Sequence, residues 1–165
     1  MTMTKQKRNG GFTLLEVLLV IVVASILLTI AAPSFANFIK KQQVEAAATQ
    51  LQSAVALARS AAIQQRKPVF IKPIVGGNFS NGWLVTTKAT DTYASCTECL
   101  MVHQLDGTSV YSSGMTGSHI EFTKDARLDA AETVHFCQTA GAAGINVAIE
   151  LSGYVTKTST TSCGS

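Results

Sequence analysis

Apolar residues form one long run near the start of the chain. Residues 12–39 contain a single charged side chain, Glu16. About 20 apolar residues are enough to cross the hydrocarbon core of a bilayer as a helix, so residues 12–32 predict a membrane-spanning segment. Because basic residues lie just before this segment, we expect the N-terminus in the cytoplasm and residues 40–165 on the opposite side of the membrane.

After the apolar run, a stripe of small and aliphatic residues recurs at alternating spacings of four and three: Val44, Ala48, Leu51, Val55, Ala58 and Ala62. This period places these side chains on one face of a helix. Pro33 should kink or loosen the helix, and Pro68 should end it near Arg66. We therefore expect one helix of roughly fifty residues that is amphipathic in its second half.

Beyond Pro68, short runs of strand-forming residues alternate with turn residues, which predicts an antiparallel β-sheet under the apolar stripe. The expected strands cover residues 69–75, 82–87, 100–105, 119–123, 133–137 and 145–151, with a last short strand at 154–156. The polar segments 88–99 and 106–118 are expected as exposed loops, and Lys157–Ser165 as a Ser/Thr-rich tail. The predicted fold class is α+β.

Composition and charge limit the classes of protein to which this chain can belong. With 47% hydrophobic and 14% charged residues, the chain does not have the composition of a disordered protein. Its length suits one domain. Three of the 13 basic residues, Lys5, Lys7 and Arg8, precede residue 12, so the remainder carries 10 basic and 10 acidic residues. This charge balance does not indicate a strongly basic nucleic-acid-binding domain.

Glu16 is the unusual residue of the apolar run. A carboxylate inside a lipid-spanning helix costs roughly 2.5–3.5 kcal/mol and calls for a partner. Cleavage between Gly11 and Phe12 would create an α-amino group four residues before Glu16, and Glu16 of one chain would then neutralise the Phe12 amine of a neighbour. Two alternatives are a hydrated Glu16 at the membrane boundary and an ordinary secretory signal, although the apolar region of such a signal has only about 7–15 residues.

The segment Gly11-Phe12-Thr13-Leu14-Leu15-Glu16, with its basic leader and Pro33, resembles the N-terminal signature of type IV pilin-like (prepilin-type) proteins. The resemblance implies the type IV pilin fold, cleavage after Gly11, N-methylation of Phe12, and assembly roles for Phe12, Glu16 and Pro33. It divides the chain into a leader (1–11), a transmembrane and fibre-core helix (12–36) and a periplasmic domain (37–165).

The same resemblance implies partners and a location. The partners are other major and minor pilins, a prepilin peptidase and the inner-membrane assembly platform. The chain is expected to be a single-pass inner-membrane protein that later joins an extracellular pilus.

Three further segments resemble the GspH/FimT branch of this family: residues 57–69 at the helix-to-strand junction, Gly82-Trp83-Leu84-Val85, and Phe136-Cys137. The branch holds minor pilins of the FimU type, which act in pilus initiation or at the tip, and minor pseudopilins of type II secretion. Its DNA-binding members carry a Gly-Arg-x-Arg motif near the C-terminus. The matching stretch here, Gly153-Tyr154-Val155-Thr156, lacks both arginines.

The resemblance therefore implies a structural minor pilin of the initiation or tip complex. A DNA-binding minor pilin for natural transformation and a type II secretion pseudopilin are the alternatives. Without the arginines, DNA binding is expected to be weak or absent, since cationic contacts to phosphates dominate non-specific affinity. Tyr154, which can stack on a base, and Lys157 are the candidate DNA contacts.

Four cysteines lie beyond residue 95, in the part expected to be exported, where disulfides persist. They allow three pairings. We favour a local disulfide between Cys96 and Cys99, and a second disulfide between Cys137 and Cys163 that holds the C-terminal tail. A zinc site that includes His103 or His135 and a thioredoxin-like Cys-x-x-Cys are the alternatives. His103, His119 and His135 are expected as ordinary strand residues. Because no catalytic motif is found, we expect neither an enzyme nor a cofactor or metal.

Overall fold

The computed structural model describes residues 12–106, 110–115 and 117–163, and of residues 31–34 only the backbone. Within these ranges, a long helix is followed by short strands: α1 (Leu14–Gln65), β1 (Val69–Val75), β2 (Asn78–Thr86), β3 (Cys99–Gln104), β4 (Tyr111–Ser113), β5 (Ile120–Phe122), β6 (Glu132–Cys137), β7 (Gly144–Ile149) and β8 (Val155–Thr160). A single 3₁₀ turn, Tyr93–Ser95, lies between β2 and β3. The chain divides into two compact units, Met1–Phe38 and Ile39–Ser165.

Helix α1 has 52 residues, which confirms the predicted length. It ends at Gln65 because Arg66 takes a left-handed conformation with φ of 52°. This conformation is common just after a helix, where the residue that adopts it is usually glycine. Pro68 then holds the chain in the extended region that leads into β1.

The strands form two antiparallel sheets of four, in the orders β3-β2-β1-β5 and β4-β6-β7-β8. The β1–β2 hairpin turns at Gly76 and Gly77, whose φ angles are 70° and 73°. Two successive residues with positive φ form the turn whose twist matches the flanking strands, and glycine adopts it without strain. The predicted antiparallel sheet is confirmed, with the difference that its strands are shared between two sheets.

The apolar stripe of α1 packs into the core of the second unit. Val44, Ala48, Leu51, Val55, Ala58 and Ala62 are each no more than 4% exposed, as the helical spacing predicted. The sheets contribute larger side chains to the same cluster, among them Phe79, Trp83, Phe122 and Phe136. The small alanine side chains leave space on this face of the helix, and the aromatic rings of the sheets fill it.

The structure differs from the prediction at two places. The segment 106–118, expected as a loop, contains β4, which pairs with His135, Phe136 and Cys137 of β6. The tail from Lys157, expected to be irregular, continues β8 to Thr160, and β8 pairs with β7 along its full length. Both strands are polar and depend on a neighbouring strand for their hydrogen bonds, so no hydrophobic period marks them in the sequence.

Truncating the fully buried Leu51 to alanine should lower the free energy of unfolding of residues 39–165 by about 2–5 kcal/mol, because the methyl groups leave a cavity between α1 and the sheets. The matched control is Ile63→Ala on the same helix, where the side chain is 58% exposed and the change should stay within about 0.5 kcal/mol. Urea unfolding measures both. Equal losses for the two variants would contradict the packing described here.

Candidate assembly site

The first unit exposes almost all of its apolar side chains. From Phe12 to Ile39, the large hydrophobic residues with described side chains are 42–83% exposed. Monomeric soluble proteins rarely expose contiguous apolar patches larger than a few hundred Å², and larger ones mark contacts with a membrane or with other proteins. This half of α1 is therefore a surface that needs an apolar partner.

Among the described residues, no single helix has the length and apolar character to cross a membrane, whereas the bent pair Leu14–Ile30 and Phe35–Gln65 satisfies that test of length and composition.

Thr13 sets the start of α1. Its side-chain oxygen accepts a hydrogen bond from the backbone N–H of Glu16 at 3.2 Å, and its carbonyl accepts from the N–H of Val17 at 3.3 Å. Thr-x-x-Glu is the capping-box pattern, in which a threonine satisfies an N–H of the first helical turn. The helix dipole favours a carboxylate in that turn. Glu16 is therefore held one turn from Phe12, at the end of the apolar surface.

Two residues singled out by the sequence lie wholly or partly outside the described residues. Gly11, the predicted cleavage residue, lies outside them, and cleavage after it stays a prediction. Pro33 falls within α1, but its side chain is outside the description, and its effect on the helix stays a prediction.

The four cysteines form the two favoured disulfides. Cys96 joins Cys99, and Cys137 joins Cys163, with Cα–Cα distances of 5.7 and 6.3 Å. Cys163 is buried, and its N–H donates to the carbonyl of Ala142 at 2.9 Å. A bridge over 26 residues contributes about 3–4 kcal/mol in the chain-entropy model. It fixes a tail that has little apolar surface of its own.

The histidines lie in or beside strands and serve ordinary packing roles. His135 Nδ1 is 2.6 Å from Asn146 Oδ1, and the ring of His119 packs edge-on against Phe70. His103 stacks on Trp83 with ring centroids 4.7 Å apart, and burial lowers its pKa. In the part of the chain that the structure describes, no group of three or more His, Cys, Asp or Glu residues is arranged to hold a metal ion.

Asp91 organises the loop between β2 and β3, a role that sequence reasoning missed. The carboxylate is 2% exposed and accepts hydrogen bonds from the hydroxyls of Thr86 at 2.7 Å and Thr97 at 3.0 Å, and from the N–H of Glu98 at 3.0 Å. Nζ of Lys72 donates to the carbonyl of Asp91 at 2.6 Å. An aspartate in a polar loop gives no local signal of this role, because its partners come from β1, β2 and the far side of the loop.

The hydrogen bonds lower the pKa of Asp91 to about 2, with the Thr86 hydroxyl as the largest cause. Burial opposes them, and the backbone of Glu98 and the Thr97 side chain add to the lowering. The charged carboxylate is therefore the form that holds the loop together.

The candidate DNA contacts lie beside α1. Tyr154 is 66% exposed, and Lys157 Nζ donates to the hydroxyl of Thr49 at 3.1 Å. A second cation, Arg59, approaches Gly153 in the same segment: a Cβ built on Gly153 would lie 3.1 Å from the Cδ of Arg59. Sequence reasoning missed Arg59, which is about a hundred residues away along the chain.

Two family profiles match the chain. The profile described as Type II transport protein GspH covers residues 47–153, and that of the prokaryotic N-terminal methylation motif covers residues 6–32. The chain belongs to the GspH family. Its N-terminal segment carries the methylation motif of type IV pilin-like proteins, as the resemblance implied.

Solved structures show the same fold. Two crystal structures of the type IV minor pilin FimU of Pseudomonas aeruginosa (strain PAO1) match this GspH-family chain. One has 23% identity and a TM-score of 0.59, covering 72% of this chain and 98% of the FimU chain. The other has 21% identity and a TM-score of 0.63, covering 76% and 98%. The comparison with curated proteins gives no match.

Replacing Asp91 with asparagine should flatten the acid dependence of stability. Because the folded-state pKa is below its ordinary value of 3.8, the charged carboxylate stabilises the fold above about pH 4, and this contribution disappears as the pH falls toward 2. Urea unfolding between about pH 6 and 2 should therefore show a steeper loss for the native chain than for Asp91→Asn. Glu121→Gln, a substitution outside this loop, is the control. Parallel curves for the native chain and Asp91→Asn would refute this role.

Proposed function

We propose that this GspH-family protein is a minor pilin that is cleaved between Gly11 and Phe12, N-methylated at Phe12 and incorporated into type IV pili as part of the initiation or tip complex. The observation that carries the proposal is the apolar surface of α1 between Phe12 and Ile39, which is exposed wherever its side chains are described and begins at the Thr13 cap with Glu16 in the first turn. Such a surface is suited to lipid before assembly and to other pilin helices afterwards.

The partners follow from this role. A prepilin peptidase removes the leader, the inner-membrane assembly platform receives the processed chain, and major and minor pilins pack against residues 12–36. Residues 37–165 lie in the periplasm before assembly and on the outside of the fibre afterwards. In this proposal α1 provides the contacts of assembly, and the protein carries out no catalysis.

Glu16 is the residue whose replacement tests assembly most directly. In the fibre, its carboxylate neutralises the α-amino group of Phe12 on a neighbouring chain, and an unpaired charge in an apolar bundle is costly. Glu16→Gln should therefore remain in the membrane fraction and fall at least tenfold in sheared fibres, measured by quantitative immunoblotting. Intact mass of the fibre-bound native chain should show a methylated Phe12 at its start.

The matched control for this experiment is Glu45→Gln, the same change at an exposed position further along α1. It should enter fibres at the native level. Normal incorporation of Glu16→Gln would overturn the proposed role of the carboxylate. A native chain that retains its leader would overturn the proposed processing.

A pseudopilin of type II secretion is the alternative within the same family, and the description of the matched family favours it. Both proteins would share the helix, the processing and the fold, so the chemistry of the chain does not separate them. The neighbouring genes in the genome separate the two proteins: pilus genes support the proposal, and secretion genes support the alternative.

Binding of DNA is the second candidate function. It is favoured by the position of Arg59 beside Gly153, which adds a second cation to the surface segment that contains Tyr154 and Lys157. An exposed aromatic ring with two cations is a minimal surface for single-stranded DNA, where bases stack and phosphates pair with cations. It offers few phosphate contacts, so the affinity should be low and should change little with salt.

Fluorescence anisotropy of labelled single-stranded DNA with residues 39–165 tests this surface. We expect weak binding at about 50 mM salt that falls only about fivefold at about 150 mM, because two phosphate contacts release few counterions. Arg59→Ala combined with Lys157→Ala should abolish the weak binding, whereas Lys88→Ala, in the β2–β3 loop, should not. Micromolar binding at the higher salt would make DNA uptake the first candidate function.

A further inference from the structure

An open cleft lies at the end of α1, where the helix meets the turn that follows β5. Ile63 and Arg66 line the cleft from the end of the helix, and Lys124 and Asp125 line it from the turn. All four residues are exposed. The volume of the cleft, about 540 Å³, lies within the range of ligand-binding clefts in proteins. The cleft can therefore hold a few side chains of a binding partner.

The cations at this cleft have no partner among the described residues. Arg66 and Lys124 make neither a hydrogen bond nor an ion pair with another described side chain, and Lys67, next to Arg66, makes none either. Cations on the sheets differ from these, because Lys72 and Lys157 both donate hydrogen bonds to other parts of the chain. The cations at the cleft are therefore free to bind an anionic group from outside the molecule.

The backbone at the cleft adopts a conformation that favours glycine, although neither residue concerned is glycine. Arg66 and Ala126 are the two non-glycine residues with positive φ in the described part of the chain, at 52° and 56°, and Ala126 directly follows Asp125. Glycine adopts this conformation without steric cost and is the usual residue just after a helix. Non-glycine residues held in this way cluster at binding sites. The side chain of Arg66 is therefore expected to do more than end the helix.

The turn that carries the other two lining residues is fixed by its own hydrogen bonds. The N–H of Ala126 donates to the carbonyl of Thr123 at 2.8 Å, and the N–H of Thr123 donates to the carbonyl of Arg127 at 2.9 Å. The side chain of Ala126 is buried in the core. Lys124 and Asp125 are thereby held at the tip of the turn, and a site built on an ordered backbone loses little conformational entropy when it binds.

The mixture of side chains in the cleft distinguishes between anionic ligands. A nucleic-acid strand carries a phosphate at every nucleotide, so Asp125 would repel it, and the cleft offers no aromatic ring on which a base could stack. An extended peptide can place a carboxylate on Arg66 and an aliphatic side chain on Ile63, which is 58% exposed. Arginine matches the two oxygens of a carboxylate, and clusters of basic residues recognise acidic motifs in this way.

We propose that this cleft binds an extended acidic segment of another protein. Arg66 and Lys124 hold a carboxylate of the segment, and Ile63 contacts an aliphatic side chain beside it. Three cations, including Lys67, against the single carboxylate of Asp125 leave the cleft positively charged, which complements such a segment. The site uses none of the residues considered above for contact with DNA, and it does not depend on which fibre the chain enters.

Fluorescence anisotropy with the full chain in an uncharged detergent tests the inference. The probe is a labelled hexapeptide of alternating glutamate and leucine, at about 50 mM salt so that surface charges are weakly screened. The same peptide with glutamine in place of glutamate should bind about tenfold more weakly, because it loses several exposed ion pairs. A labelled thymidine hexanucleotide should also bind more weakly than the acidic peptide. Equal binding of the two peptides, or tighter binding of the hexanucleotide, would overturn the inference.

Variants then assign the binding to the cleft. Arg66→Gly should weaken binding of the acidic peptide about threefold, the effect of one exposed ion pair, and should raise the midpoint of urea unfolding because glycine suits the positive φ. A purely structural role of Arg66 would not move binding and stability in opposite directions. Lys124→Gln should weaken binding by a similar factor and leave the unfolding midpoint unchanged.

The matched control is Lys40→Gln, which removes an exposed cation elsewhere on α1. It should leave the affinity for the acidic peptide unchanged. An equal loss of affinity in Lys40→Gln would show that only net charge matters, and it would overturn the inference. Should Arg66→Gly prove unstable, Lys124→Gln decides by itself: native affinity in that variant would refute the proposed site.

Discussion

The second unit depends on the contact between the alanine-rich stripe of α1 and the aromatic side chains of both sheets. The stripe runs from Val44 to Ala62, and its residues are almost completely buried. Small residues at every turn leave room between the helix and the sheets for large aromatic side chains. Larger side chains there would force the sheets outward, and the rings of Trp83 and Phe136 would lose their close packing. The two sheets therefore share one core because they share one helix.

The other half of the same helix has no such contact. Its described side chains, in residues 12–30 and 35–39, are exposed. Burial of apolar surface yields roughly 25 cal/mol per Å², so a helix with this much exposed apolar area has a strong drive to associate. Thr13 caps the helix where that surface begins, and Glu16 lies in the first turn.

Features with a regular period or a covalent constraint were predictable from the sequence. The stripe from Val44 to Ala62 follows the helical period, and β1 was predicted with its observed bounds. The favoured cysteine pairs are also those of the structure. The position of Ser112 in β4 was not predictable, because its partner Ser80 is 32 residues away. The role of Asp91 was not predictable either, because several polar residues of the loop come together around it only when the loop folds back on itself. Ser112 is buried where its N–H meets the hydroxyl of Ser80, and Arg59 approaches Gly153 only through folding.

Strand β8 shows how a polar segment can be kept in a sheet without an apolar face. Its residues from Thr156 to Ser159 are exposed, so hydrophobic burial contributes little to holding it. Backbone bonds to β7, the contact between Lys157 and Thr49, and the Cys137–Cys163 bridge hold it instead. Lys157 and the Cys137–Cys163 bridge retain β8 in the sheet. They also make its edge unfavourable for pairing with a strand of another chain. On β3, by contrast, the Cys96–Cys99 disulfide constrains only the start of the strand.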